Sequence, residues 1–223
     1  MTQLQQNHRR NEDNCLPGFQ LIVVDIDDGV TVDTAKLLME EYAYHIHTTK
    51  RHTEQQQRFR MIFPMSHTLK LDAKDYRDFM NNIYDWLPFE VDRQTNQRSR
   101  KWLANPTPDV SEVHDGILID VLPFIPKTKK SEDQKKQMDK LRNLSSVERW
   151  FVSNTDEGNR SNMLVRYALM LVSNGLNTQD VQEKVLGLNG KLQPPLDTTE
   201  VYSTILVTAG RAIVKRDTQH VQA

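Results

Sequence analysis

The chain has 223 residues, enough for one large domain or two small ones around a buried core. Lys plus Arg (29) nearly balance Asp plus Glu (30), so whole-chain charge singles out no nucleic-acid partner and excludes none, because local patches can still be basic. One cysteine, Cys15, excludes an intrachain disulfide and a multi-cysteine zinc site, and no apolar run approaches the roughly 18 residues of a membrane helix, so a soluble cytoplasmic protein without a signal peptide is expected.

Residues 1–18 are polar and aperiodic, and a loose arm is expected there. Leu21 to Ile26 is short, apolar and β-branched, and Gly18 and Gly29 bound it, which predicts a buried strand. Asp33 can then cap a helix with Ala35, Leu38, Met39 and Tyr42 on its apolar face. Residues 44–49 and 58–63 read as two more strands, the second ending at Pro64. Residues 72–87 place Tyr76, Phe79, Met80, Ile83 and Leu87 on one helical face, and 117–124 is a further strand candidate. Such a mixture, without regular βαβ alternation, predicts an α+β domain over residues 1–126.

The composition changes after Pro126. Residues 127–150 are highly charged with few apolar anchors and read as a linker with some helix. Residues 151–223 read as a small all-helical domain. Its first helix carries Met163, Leu164, Tyr167, Ala168 and Leu171, with Gly175 at the C-cap position; 178–189 is a second helix. Asp197 and Glu200 open a third with the spacing of a capping box. No internal repeat is visible.

Three segments carry the chemistry. In "VVDIDDGV" (23–30), Asp25 and Asp27 stand two apart on a strand and so share a face, about 6.5 Å apart along the backbone. Two such carboxylates suit Mg2+ or Mn2+, and a two-metal site needs ions only about 4 Å apart. An acidic strand end leading into a turn has the same pattern, with Asp28 serving the turn and Asp33 the helix cap. The stretch also has a superficial likeness to the haloacid-dehalogenase phosphatase motif, "DxDGT", but Asp28 is inserted before the glycine and Val30 replaces the threonine.

The second segment is "TTKRHTEQQQRFRMIFP" (48–64). Thr48, Thr49 and His52 lie at a strand end, and Arg58 and Arg60 share one face of the next strand. Hydroxyls, a histidine and two arginines suit a triphosphate, although a solvated sheet face alternates in the same way. His45 and His47 share a face too, and read as ordinary strand residues. In the third, "FEVDRQTNQRSRKWLANP" (89–106), Asp92 closes an apolar run, and Arg93, Arg98, Arg100 and Lys101 surround Trp102. A basic cluster around one aromatic suits phosphates or a stacked base.

Together and in this order, the three segments resemble the motifs of the archaeo-eukaryotic primase superfamily, and most of all its phage and plasmid primase-polymerase branch. Asp25 and Asp27 match its first motif, His52 in "TTKRHT" its second, and Val91-Asp92 its third; "RFRMIFP" and "SRKWLANP" resemble its accompanying segments. The C-terminal part is similar to the helical primase C-terminal domain, PriCT, on Gly158-Asn159-Arg160, Asn162, Asn189, Pro194-Pro195-Leu196 and Glu200-Val201. The resemblance implies an RRM-like mixed sheet and template-directed nucleotidyl transfer. It implies two Mg2+ or Mn2+ ions held by Asp25, Asp27 and Asp92, and a triphosphate on Thr49, His52, Arg58 or Arg60. Arg98, Arg100 and Lys101 would contact nucleic acid. The implied partners are a single-stranded DNA template, nucleoside triphosphates and a separate replicative helicase, since no P-loop "GxxxxGK[ST]" occurs. Only about twenty residues precede the acidic pair, where the family usually carries a β-rich segment. A version reduced at this end, or completed by another segment or subunit, is therefore expected. A replication-initiation or accessory protein that binds single-stranded DNA with little catalysis is the alternative.

Overall fold

The structure is a computed structural model that describes residues 10–16, 18–141 and 143–221, with backbone alone at 219–221. Strand β1 (Phe19–Ile26) is followed by α1 (Val32–Leu38), β2 (Tyr44–Thr48) and β3 (Phe59–Leu69). β3 lies between β1 and β2 and is antiparallel to both, so β1 and β2 run parallel and α1 is the crossover of a split β-α-β unit. After α2 (Ala73–Trp86), β4 (Ser111–His114) adds an antiparallel strand at the outer edge of β2. The order is β1-β3-β2-β4.

Period-two alternation gives this sheet two unlike faces. Ile22, Val24, Ile26, Ile46, Phe59, Met61 and Phe63 are buried in one core cluster with Ala35 and Leu38 of α1 and Phe79, Met80 and Ile83 of α2. The other face presents Leu21, Val23, Asp25, His45, His47, Arg60 and Ile62, all but Arg60 partly exposed.

Several boundaries differ from expectation. Thr31, not Asp33, caps α1: its hydroxyl accepts from the Thr34 N–H, and the helix ends at Leu38, short of Tyr42. β3 runs past Pro64. The Pro64 carbonyl accepts from the Ile119 N–H, so the missing proline N–H faces the flank where β2 no longer pairs and costs no ladder bond. Residues 117–124 form no strand. Ile117 and Ile119 make isolated parallel bridges to Tyr42 and Met65, and a 3-10 turn follows at Leu122–Phe124. Gly116 lets this segment approach: a Cβ there would lie 2.5 Å from the Tyr42 carbonyl carbon. The expected loose arm lies outside the described residues at 1–9 and 17. Residues 10–16, however, pack down through a 3-10 turn, Glu12–Asn14, with Cys15 buried.

The charged stretch after Pro126 contains α3 (Lys129–Lys140) and the start of α4 (Ser146–Asn154), which a Ser145/Glu148 capping box opens. α5 (Arg160–Ser173) follows and ends in a Schellman motif: the Leu176 N–H reaches the Leu171 carbonyl, the Gly175 N–H reaches Val172, and Gly175 takes φ +83°. α6 (Thr178–Asn189) packs on α5. α7 (Thr198–Glu200) continues through a π-helical turn, Val201–Leu206, into α8 (Val207–Val221). Asp197 caps α7, but Glu200 does not complete the expected capping box, because its carboxylate takes the Ser161 hydroxyl instead. Among the described residues no helix is long and apolar enough to cross a membrane.

Candidate functional site

Sheet register brings the first two sequence segments together. Asp25 of β1 is the Cα partner of Arg60, which pairs with His47 of β2, which pairs with Ser111 of β4. A row of polar side chains therefore crosses the sheet face that is not in the core. The Arg60 guanidinium lies 3.4 Å from Asp25, and at the strand end Arg58 lies 3.6 Å from Asp27. The neighbouring row is Val23, Ile62, His45 and Val113. Asp28 leaves this group: its carboxylate accepts from the Gly29 N–H at 2.8 Å in a turn where Gly29 takes φ +85°.

Asp92 joins the row from elsewhere in the chain. Its N–H donates to the Asp25 carbonyl at 2.9 Å, which fixes the segment after α2 against the end of β1. Its side chain caps a 3-10 turn, Arg93–Thr95, through the Gln94 N–H, and its other oxygen faces Arg100 at 3.9 Å. Burial raises the Asp25 carboxyl above the ordinary aspartate range. Arg60 opposes that shift, Asp27 and Asp92 add to it, and Arg100 opposes it. The three acids and two arginines thus share one electrostatic neighbourhood.

Carboxylates suit hard divalent cations, and Asp25 Oδ1 is buried without a hydrogen-bond partner, so Asp25 fits a cation ligand. The fit stops short of a full set. Among the described residues no three His, Cys, Asp or Glu side chains stand together closely enough to hold a metal ion. The reason is local: Asp25 and Asp27 turn to arginines of β3, and Asp92 caps its own turn.

The loop from β2 to β3 is tied back on itself. The Thr49 N–H donates to the Arg58 carbonyl at 2.9 Å, and the His52 N–H donates to Thr49 at 3.1 Å. The Arg58 N–H in turn donates to His52 Nδ1 at 3.1 Å. An acceptor Nδ1 places the proton of the neutral ring on Nε2, leaving a donor that points away from this bond. The Thr49 hydroxyl faces the Arg58 carbonyl at 3.5 Å.

Arg60 also organises the third segment. It donates to the Leu103 carbonyl at 3.2 Å and lies 4.6 Å over the Trp102 ring, with Arg100 5.7 Å from the same ring. Arg98 has a different role from its neighbours. Its guanidinium donates to the carbonyls of Leu71 (3.1 Å) and Glu12 (2.8 Å) and pairs with the Glu12 carboxylate at 3.4 Å. Half-buried and engaged in this way, Arg98 joins the 10–16 segment to the site wall. Lys101 is exposed.

In the sequence His47 reads as an ordinary strand residue and Glu12 as part of a loose arm. The alternation of β2 carries a signal for His47, since it shares a face with the Arg60 row. Nothing local marks Glu12, whose partners lie more than eighty residues away.

In the C-terminal part, Arg160 donates to the carbonyls of Pro194 (2.8 Å) and Pro195 (3.4 Å), and the Asn189 side chain bonds both the N–H and the carbonyl of Leu196. These residues hold the 190–197 loop to the bundle. Residues 148–206 match the family model of the primase C-terminal domain, Primase C terminal 1 (PriCT-1). Comparisons with curated proteins and with solved structures found no match.

Proposed function

We propose that the chain is a primase-polymerase that makes or extends primers on single-stranded DNA by template-directed nucleotidyl transfer, as in phage or plasmid replication. One observation carries the reading. In a chain with a primase-type C-terminal region, the Asp92 N–H bonds the Asp25 carbonyl and joins two acidic motifs far apart in sequence. In this reading residues 1–126 are an RRM-like catalytic unit of the archaeo-eukaryotic primase type, 127–150 join it to the rest, and 151–223 are the helical module. Two Mg2+ or Mn2+ ions held by Asp25, Asp27 and Asp92 would supply the charge that activates a 3′-hydroxyl and stabilises the leaving pyrophosphate. The chain's own groups orient the reactants. His52 Nε2–H and Arg58 bind the triphosphate beside Thr49, Arg60 holds the Asp25 side chain, and Arg100 and Lys101 take template or nucleotide phosphates. Unwinding falls to a separate helicase, in the cytoplasm.

The test is labelled nucleotide incorporation on a single-stranded template with either metal. Loss of product in Asp25→Ala and Asp92→Ala supports the reading, whereas DNA binding without product across templates and both metals overturns it. A second reading, an accessory protein that binds single-stranded DNA with little catalysis, draws support from the pairing of Asp25 and Asp27 with arginines. That second outcome would favour it.

A further inference from the structure

Next to the acidic row lies a cleft of about 330 Å³ whose apolar floor no proposed step uses. Its floor is Leu21 and Val23 of β1, Trp102 stands at one wall, and Arg100 and Lys101 line it; among the described residues no Asp or Glu does. The volume is at the low end for small-molecule sites, and an apolar floor under a cationic rim matches a flat heteroaromatic ring bearing an anionic group. Trp102 is held there by the guanidinium groups of Arg60 and Arg100, 4.6 Å and 5.7 Å from its ring centre.

The position of the cleft says more than its lining. A strand rises about 3.3 Å per residue, so Val23 is about 6.5 Å and Leu21 about 13 Å from Asp25 along β1. Arg58 and His52 lie beyond Asp25 in the opposite direction, at the Asp27 end of the strand. In an in-line displacement the attacking oxygen and the leaving pyrophosphate stand on opposite sides of the phosphorus. With the triphosphate at the His52 end, the cleft falls on the attacking side.

We propose that this cleft is a nucleoside-monophosphate subsite, seating the base of the acceptor nucleotide on Leu21 and Val23 beside Trp102, with a phosphate on Arg100 and Lys101. The assignment of an acceptor rests on the proposed nucleotidyl transfer; the binding of a nucleotide does not. The ligand class is a single nucleotide unit, either the first nucleotide of a new chain or the 3′ end of an existing one.

The test is equilibrium dialysis of the full chain against radiolabelled AMP and dAMP in EDTA, where neither ligand carries a triphosphate for the His52 end. The expected result is saturable one-to-one binding, weakened about tenfold or more by Lys101→Glu, which removes and reverses a phosphate contact. Val23→Phe, which fills the floor, should weaken binding similarly, and His52→Ala should leave it unchanged. Lys101 is exposed, so its variant keeps the test valid if Val23→Phe does not fold. Three results would overturn the subsite: no binding, binding that ignores both cleft variants, or displacement by inorganic phosphate as effective as by AMP. Incorporation assays on the same preparation separate the two ideas. Product without AMP or dAMP binding removes the subsite and keeps the reaction; binding without product keeps the subsite and removes the reaction.

Discussion

The Arg60 guanidinium lies 3.4 Å from the carboxylate of Asp25, its Cα partner across the sheet, and the same group reaches the Leu103 carbonyl and the Trp102 ring. One side chain thus ties β3 to the acid of the first segment and to the aromatic of the third. Removing it strands a half-buried carboxylate whose ionised form burial already disfavours. We expect Arg60→Leu to cost about 3 kcal/mol, the scale for breaking a largely buried pair from one side. Arg60→Lys should cost less, because it keeps the charge while losing the flat stack and the forked donor. Urea unfolding measures both. Trp102 fluorescence should shift to the red in Arg60→Leu, since Trp86 and Trp150 are buried and only Trp102 sits in this wall. Equal stability of wild type and Arg60→Leu would show that the pair contributes nothing.

Glu12 gives the site wall a pH dependence. Burial alone would push its carboxyl up, but the bonds from the Ser99 N–H and from Arg98 outweigh burial and hold it below the ordinary value. A depressed carboxyl contributes stability that is present above its unfolded value, about 4.3, and is lost as pH falls through the folded value. Thermal melts of wild type and Glu12→Gln should therefore differ most near neutral pH, by about 1–3 kcal/mol, and converge as pH drops below that range. A gap that stays constant down to acid pH would contradict this account.

How much of this was legible in the sequence depended on the range of the interactions. Period-two alternation put Asp25 with Asp27 and Arg58 with Arg60, because a strand's faces are written locally. Which acid meets which arginine was not legible, since register depends on the bulge near Phe19 and on the intervening loops. Arg98 and Arg100 look alike in sequence, and only their distant partners distinguish them: Glu12 and Leu71 for Arg98, Asp92 for Arg100. Residues 117–124 read as a strand on composition, yet they alternate only in burial, with Ile119 and Val121 buried and Ile117 and Leu118 exposed, and make bridges instead of a ladder. β4, four residues with Ser and Glu among them, is too short to stand out. The meeting of the Asp92 segment with Asp25 rests on one backbone bond; no periodicity announces it, and in the sequence it is implied only by the resemblance of the three segments to the primase motifs.

The His52 ring makes a prediction independent of function. Because Nδ1 accepts from the Arg58 N–H, the neutral ring should be the Nε2–H tautomer. Long-range proton–nitrogen NMR distinguishes the two nitrogens, and a protonated Nδ1 would mean the bond is not made. His52→Ala should cost about 1 kcal/mol through the lost bond. In the proposed function it should also lower triphosphate affinity, which a purely structural histidine would not control.

Arg166 decides whether the helical part unfolds separately from the sheet. It projects from α5, is 5% exposed, and donates to the last carbonyls of α1, Leu37 (3.1 Å) and Leu38 (2.8 Å). These are the acceptors a helix leaves unsatisfied at its C-terminus, where a cation is also favoured by the helix dipole. Glu40 (3.0 Å) and Glu41 (2.7 Å) complete the cage from beyond the same helix end. Since α1 is the crossover between β1 and β2, a group on α5 is holding the element that sets the sheet, and the two regions share one core cluster. Calorimetry should therefore show one transition for the whole chain. Arg166→Met, similar in volume but unable to donate, should lower the stability of that single transition by about 3 kcal/mol, because the carbonyls and carboxylates lose their cation together. Two resolved peaks in the wild type, with Arg166→Met moving neither, would mean that the helical region is only tethered to the sheet.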